Sequence, residues 1–154
     1  GVRGWRRYWL RGERGEDEPE DLLGWGRERR SVIGIDVTNI AGVLTERGDL
    51  EGARAAEREG LPLVKESDYA WGWMDHLALR TALARKISNA ARLAGFADST
   101  FAAKDTSRQP NEARARDRLQ ALLREKLCPD ELERLLAEGA KMSEDEACRL
   151  ALEE

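Results

Sequence analysis

The chain has 154 residues, the length of one domain, and 41% of them are hydrophobic, which is enough to bury a modest core. Its 26 Lys and Arg nearly cancel its 30 Asp and Glu, and this balance argues against the clustered basic surface of a nucleic-acid-binding domain. No apolar run approaches the roughly 20 residues that span a bilayer, and the amino terminus lacks a signal pattern. We therefore expect a cytoplasmic protein with neither membrane nor nucleic acid as a direct partner.

The sequence offers few candidate catalytic, metal-binding or phosphate-binding residues. Cys128 and Cys148 lie far apart beside a single histidine, His76, so the sequence assembles neither a disulfide framework nor a zinc set of ordinary spacing. The chain also lacks the G-x-x-x-x-G-K-[ST] loop that cradles phosphates. We expect two reduced thiols, with a redox pair as the alternative, and no catalytic residue, no cofactor and no metal.

Residues 1–30 mix Gly, Arg, Trp and acidic residues without a lasting helical or strand period, which predicts a poorly ordered leader. Within them Trp5, Tyr8 and Trp9 could share one face of a short helix. A basic and aromatic segment can also stack on nucleic acid, but the interleaved acidic residues oppose that alternative. Because the chain begins at Gly1 and not at methionine, we also consider a fragment, a processed product or an omitted start residue.

A helical hairpin is predicted from Ser31 onward. Apolar residues at i, i+4, i+7 and i+11 form one stripe of a first amphipathic helix, which Arg47 and Gly48 end. Asp49 then suits the N-cap of a second helix. The first stripe consists of Ile33, Val37, Ile40 and Leu44, and the inward face of the second helix of Leu50, Ala53, Ala56, Leu61 and Val64.

A second hairpin follows, with a turn around Arg85 and Lys86 that carries no glycine. Many of its apolar residues are alanines, which let two helices approach closely. The predicted stripes are Trp71, Met74, Leu77, Ala78 and Ala82 before the turn, and Ile87, Ala90, Ala91 and Ala94 after it.

Three further helices are predicted after the polar stretch "KDTSRQPN". Pro110 and Pro129 each suit the first turn of a helix, and Gly139 is the expected stop of the second one. Ser143, followed three residues later by Glu146, is a capping box that opens the last helix. The apolar sides of these helices are Leu119, Leu122, Leu123 and Leu127, then Leu132, Leu135 and Leu136, then Ala147, Leu150 and Ala151.

Together these elements predict an all-α fold, because no alternating run from residue 31 to 154 would make a strand. We divide the chain into the leader (1–30), two helical hairpins (31–104) and a carboxyl-terminal helical cap (105–154). The stretch "RGDLEGARA" resembles the turn of a tetratricopeptide repeat, and the two hairpins overlay with a period slightly above that of this repeat. The pattern departs at Glu57, Gly60 and Arg85, where a large apolar residue, a small helix former and a glycine are usual.

The closing motifs extend the resemblance. "AARLAGFAD", "ARDRLQALLREKL" and "LAEGAKMSEDEACRLAL" look, in this order, like the carboxyl-terminal region of bacterial transcriptional regulators that join a DNA-binding domain and an ATPase to a tetratricopeptide tail. The resemblance covers about residues 33–154. It implies ATP binding and DNA recognition for the whole regulators, but this chain carries neither motif. Residues 1–30 do not fit the family, and their Arg, Gly and Trp bias is what a GC-rich gene yields in a shifted frame.

One cluster of residues is a candidate partner-binding groove, namely Trp71, Trp73, Asp75 and His76. Repeat scaffolds bind ligands on a concave face, and Trp73 lies off the centre of its apolar stripe, so we expect it to be partly exposed. Core packing is the alternative for both tryptophans. Asp75 and His76 could serve as acid and base, but a hydrogen-bonded helix histidine accounts for the pair more simply.

A basic cluster also stands out, in which Arg114, Arg116 and Arg118 alternate with Glu112 and Asp117. Ion pairs along a solvated helix face account for it without phosphate contacts.

These observations favour a non-enzymatic interaction or sensor module whose partner is another protein or other domains of a parent regulator. A stand-alone adaptor that binds a partner in its groove is the alternative, and an enzyme is a distant third. Two repeats are fewer than the three or so that stabilise a stack, so we also expect self-association through the first helix.

Overall fold

The structure is a computed structural model that describes residues 23–153, with side chains from position 29 onward except Ser31. This range contains seven α-helices, one short 3-10 helix and no strand, so the prediction of an all-α fold is confirmed for it. The elements in chain order are α1 (Leu23–Glu46), α2 (Leu50–Glu66), the 3-10 helix (Ala70–Trp73), α3 (Met74–Leu83), α4 (Ile87–Ala103), α5 (Pro110–Lys126), α6 (Pro129–Ala140) and α7 (Glu144–Leu152).

The first helix begins earlier than the sequence pattern indicates. We placed its start at Ser31, whereas α1 begins at Leu23, inside the predicted leader. Leu, Arg and Glu are good helix formers, and in "LGWGRERR" they outweigh the cost of two glycines. The expectations for residues 1–22, including the short helix with Trp5, lie outside the described residues.

The buried face of α1 is offset by one residue from the predicted stripe. The stripe residues Ile33, Val37, Ile40 and Leu44 are only half-buried, and the helix turns Gly34, Thr38, Ala41 and Thr45 inward instead. The reason is a close crossing with α2: a Cβ on Gly34 would lie 2.8 Å from Leu63 Cβ. The inward threonine hydroxyls donate to backbone carbonyls of their own helix, so this polar face is satisfied.

The turn between α1 and α2 follows its local sequence as predicted. Gly48 adopts a φ of +83°, a conformation that glycine reaches at no steric cost. The side chain of Asp49 accepts a hydrogen bond from the Gly52 amide at 3.0 Å and caps α2. Along α2 the inward residues include Ala53, Ala56, Leu61 and Val64, as expected, whereas Leu50 is only half-buried; the buried glutamate Glu57 was not expected.

The third helix, α3, is buried on nearly all sides, whereas the sequence pattern predicted a single apolar stripe. Of its ten residues, only His76 and Leu83 are not fully buried. Helices α1, α2, α4, α5 and α7 all pack against it. The predicted turn follows, where Arg85 has a φ of +69° and so occupies a conformation that favours glycine.

The last three helices begin where the sequence predicts, at Pro110, at Pro129 and after Ser143, whose hydroxyl accepts from the Glu146 amide at 3.2 Å. Gly139, however, does not stop α6, which runs to Ala140. Its role is contact: a Cβ there would lie 1.8 Å from the carbonyl oxygen of Arg92 in α4.

Candidate functional site

The four residues of the predicted groove do not share one surface. Trp73 is 5% exposed and Asp75 is fully buried, whereas Trp71 and His76 are half-buried. The expectation that Trp73 is partly exposed is wrong. The chain enters α3 through a 3-10 helix that ends at this residue, and the tighter turn rotates its side chain into the core. A partner could therefore reach only Trp71 and His76.

Trp71 belongs to a small aromatic cluster at the surface. Its ring makes edge contacts with Tyr69 and Phe101, each with 5.3 Å between ring centroids. The Lys104 ammonium lies 4.9 Å from its centroid, within the range of a cation–π contact. The indole nitrogen donates to the carbonyl of Asp68 at 3.0 Å, so its only donor is already used.

Asp75 points inward to a loop arginine and not to a groove. Arg108, between α4 and α5, donates from Nε to Asp75 Oδ2 at 2.8 Å. Burial raises the pKa of the Asp75 carboxyl, and the adjacent guanidinium opposes that rise. His76 faces α1, where a Cβ on Gly42 would lie 3.4 Å from its Nδ1, and burial lowers its pKa. The two side chains thus contact different elements, which does not favour a paired acid and base.

The charge cluster around Arg108 includes a second arginine. Arg116 donates from Nη2 to Asp98 Oδ2 at 2.5 Å and from Nε to Asp98 Oδ1 at 3.0 Å, and Arg108 also donates to this aspartate. Arg116 is only 8% exposed. The solvated-face interpretation is therefore wrong for Arg116, because α5 turns it toward α4, and also for the buried Glu112, whereas Arg114 and Arg118 are exposed. Beside the cluster lies a shallow cleft of about 400 Å³.

A second buried ion pair lies between α2 and α3. Arg80 Nε donates to Glu57 Oε2 at 2.5 Å, and the two side chains are 5% and 1% exposed. Burial raises the pKa of Glu57 to about 7, an effect that the Arg80 charge only partly offsets. Both charges are thus used to satisfy each other inside the fold.

Basic side chains also hold the end of α7, at a group of contacts that we call the carboxyl-terminal clamp. Three successive carbonyl oxygens, which no longer have partners within the helix, each accept from one cation. Positive charge at this end of a helix is favourable because of the helix dipole. The three bonds run from Arg80 Nη2 to Ala151 O (2.6 Å), from Arg54 Nη2 to Leu152 O (3.0 Å) and from Lys86 Nζ to Glu153 O (2.6 Å).

The two cysteines are both free thiols in very different places. Cys128 is exposed at the start of α6, and Cys148 is buried in α7. Burial raises the pKa of the Cys148 thiol to about 11, which keeps it protonated and unreactive near neutral pH. This separation does not favour the alternative of a redox pair.

The most open apolar surface lies on α1. Val32 is 54% exposed, Ile35 39% and Val43 49%, and among the described side chains Tyr69 is the other exposed large hydrophobic residue. Between residues 23 and 153, no helix is long and apolar enough to cross a membrane. Within the same range, no three His, Cys, Asp or Glu side chains are placed to hold a metal ion.

Comparison of the chain with protein-family models, with curated proteins and with solved structures finds no match. The resemblance to ATPase-linked regulators therefore stays a prediction.

The buried ion pairs Glu57–Arg80 and Asp75–Arg108 were not expected from the sequence, although the position of Glu57 was a signal for one of them. Glu57 stands where the repeat pattern has a large apolar residue, and a charge at such a position indicates a buried partner. The partner itself, Arg80, lies 23 residues away, so helical spacing could not point to it.

Proposed function

We propose that this chain is a non-enzymatic helical-repeat module that acts by contacting other proteins or other domains of a larger protein. We further propose that its hairpins are of the tetratricopeptide type and that it is the carboxyl-terminal part of an ATPase-linked transcriptional regulator. In that setting it would couple a bound partner to the nucleotide-dependent state of the other domains.

The packing of α1 on α2 supports the hairpin part of this proposal. Gly34 lies against Leu63, and Gly60 lies against Thr38, where an added Cβ would be 3.1 Å from Thr38 Cγ2. Because these contacts run in opposite chain order, the two helices are antiparallel. Small residues at the crossing allow the close approach that repeat hairpins use.

The observation that carries the interaction role is the outer face of α1. Val32, Ile35 and Val43 are exposed, and their spacing of three and eleven residues from Val32 puts them on one side of the helix. Single exposed apolar residues are ordinary, but a stripe of them on one helix indicates a surface that another molecule covers. Helix α1 packs mainly on α2, so this side is open among the described residues.

The charged residues support a binding role over a catalytic one. Asp75 is matched by Arg108, and Glu57 by Arg80. Each buried carboxylate is thus already held by a guanidinium, so neither is placed as a general base next to a substrate.

The interaction surface is tested by site-specific photo-crosslinking of the full chain in cells of its source organism. A crosslinking residue at position 43 should capture a defined protein, or a neighbouring domain, that the same residue at the exposed position Arg118 on α5 does not. Equal labelling at the two positions would show that the α1 stripe is not an interface. Capture of another copy of this chain would instead establish the expected self-association.

The link to a regulator is tested separately by translating the DNA upstream of the Gly1 codon in all frames. A phosphate-binding loop and a DNA-binding domain in a frame that leads into residue 31 would support the carboxyl-terminal assignment. A start codon with a ribosome-binding site just before Gly1 would favour a stand-alone adaptor. The exposed Tyr69 and half-buried Trp71 are then the first residues to test in its partner-binding surface.

A further inference from the structure

The attachment of α7 combines charged contacts at its ends with an apolar face of mostly small buried side chains. Its buried side chains, Ala147, Cys148 and Ala151, are all small, and Leu150 and Leu152 are only half-buried. Leu150 and Leu152 pack against the core, but this face removes less apolar surface from water than a face of large, fully buried side chains would. A helix of nine residues is also too short to persist in water without its partners.

Both ends of α7 are held by basic residues from other elements. The carboxyl-terminal clamp holds the last carbonyls, and at the other end Asp145 pairs with Lys65 of α2. The hydrogen bond to Asp145 raises the pKa of Lys65. These contacts are polar and lie at or near the surface, apart from the buried Arg80, so water can replace most of them when the helix moves away.

The preceding helix is anchored in a different way. Gly139 and Arg92 bring the backbones of α6 and α4 into direct contact, and Gly95 and Leu136 do the same about one turn away. Helix α6 is therefore fixed almost to its end. Movement of α7 must take place in residues 141–143, which connect the two helices.

We propose that α7 is a lid, which detaches locally at residues 141–143 and loses its helical structure as it opens, while the remaining described helices stay folded. Opening removes the carbonyl partners of Arg54, Arg80 and Lys86 and the carboxylate partner of Lys65. In the closed state these cations bind groups of α7, although only Arg80 is buried, and in the open state they face solvent beside the Glu57–Arg80 pair. Opening and closing of α7 thus change the surface charge on this side of the protein.

Cys148 provides the test, because it is buried in the closed lid. In a full-length Cys128→Ser chain it is the only thiol, and its rate of reaction with a small disulfide reagent reports the opening of α7. The rate is measured across urea concentrations below the unfolding transition. A local opening gives a rate that changes little with urea, whereas global unfolding gives a steep increase.

We expect a shallow urea dependence, and we expect Lys86→Ala or Lys65→Ala to raise the labelling rate by up to about fivefold, the upper end of the effect of an exposed charged contact. Arg134→Ala is the matched control, since among the described residues Arg134 pairs only within α6, and its loss should leave the rate unchanged. The proposal is overturned if labelling follows the global unfolding rate at every urea concentration. The proposal is also overturned if Lys86→Ala and Lys65→Ala label Cys148 no faster than the Arg134→Ala control does.

Discussion

Gly139 of α6 lies so close to Arg92 of α4 that a Cβ at position 139 would sit 1.8 Å from the Arg92 carbonyl oxygen. Likewise, a Cβ at position 95 would sit 2.0 Å from the Leu136 carbonyl oxygen, about one turn away. In both cases the obstructing atom belongs to a helix backbone, which cannot turn aside as a side chain can. The two glycines therefore set how closely these helices pack.

Gly139→Ala should accordingly destabilise the protein by about 3 kcal/mol, because the helices must separate to admit one methyl group. The measurement is urea unfolding followed by circular dichroism. Gly42→Ala is the matched control in α1, where the nearest atom is His76 Nδ1 at 3.4 Å. This change should be neutral or stabilising by up to about 1 kcal/mol, because alanine favours the helix. Equal effects of the two substitutions would contradict the backbone contact.

Glu57 should give the stability an unusual dependence on pH. Its pKa is about 7 in the folded chain against 4.5 for an ordinary glutamate, so between these values the folded state binds more protons than the unfolded state. The free energy of unfolding contributed by this group therefore falls as the pH rises from 4.5 to 7 and is constant above it. This is opposite to the behaviour of a carboxylate with a depressed pKa.

The comparison of the wild-type chain with Glu57→Gln isolates this contribution. The loss of stability of the wild-type chain between pH 5 and pH 8 should exceed that of the variant by up to roughly 3 kcal/mol. Other carboxylates titrate in both proteins and cancel in the difference. Urea unfolding at several pH values supplies the data, and parallel pH profiles for the two proteins would refute the prediction.

Arg108 should be essential for the buried position of Asp75. Arg108→Ala removes the guanidinium that donates to the fully buried carboxylate and also lies 4.5 Å from the centre of the Phe101 ring. Leaving a buried charge without its partner costs about 3–5 kcal/mol. The exposed Arg114→Ala should change the stability by less than about 0.5 kcal/mol and serves as the control.

The loss of stability caused by Arg108→Ala should be smaller at acidic than at alkaline pH. Burial already raises the pKa of Asp75, and removal of the guanidinium raises it further. Protonation at low pH then relieves the unpaired charge in the folded state. If the variant loses the same stability at acidic and at alkaline pH, Asp75 is not the residue that depends on Arg108.

Trp73 and Trp71 should differ in their importance for stability. Trp73 is 5% exposed within the core, so Trp73→Ala should cost about 3–5 kcal/mol. Trp71 is half-buried between Tyr69 and Phe101, and Trp71→Ala should cost about 2 kcal/mol or less. Thermal or urea melts of both variants distinguish these roles. If Trp73→Ala costs less stability than Trp71→Ala, the buried position of Trp73 is contradicted and the exposed position that the sequence predicts is supported.

Much of the secondary structure could be predicted, because its signals are local. Pro110, Pro129, Ser143 and Asp49 mark the starts of four helices in the sequence, and the structure has helices starting there. A proline or a capping side chain acts on the amides within one helical turn, so its effect hardly depends on the rest of the fold.

Which face of each helix is buried was harder to predict from the sequence. The apolar period identified α1 as a helix but selected a face one residue away from the buried one, because the close crossing with α2 favours Gly34 and Thr38 over larger side chains. The candidate groove failed to form one surface for a related reason. Neighbouring residues such as Trp73 and Asp75 face whichever elements surround the 3-10 helix and α3, and those elements come from distant parts of the chain.

The sequence by itself therefore determined that the described chain is helical, where most of its helices begin and which turns join them. Only the tertiary structure decided that Glu57 and Arg80 form a buried pair, that Arg108 holds Asp75, and that Gly139 is a contact and not a stop. The physical reason is distance along the chain. Caps and turns join atoms a few residues apart, whereas the Glu57–Arg80 and Asp75–Arg108 pairs and the contact at Gly139 join residues more than 20 positions apart.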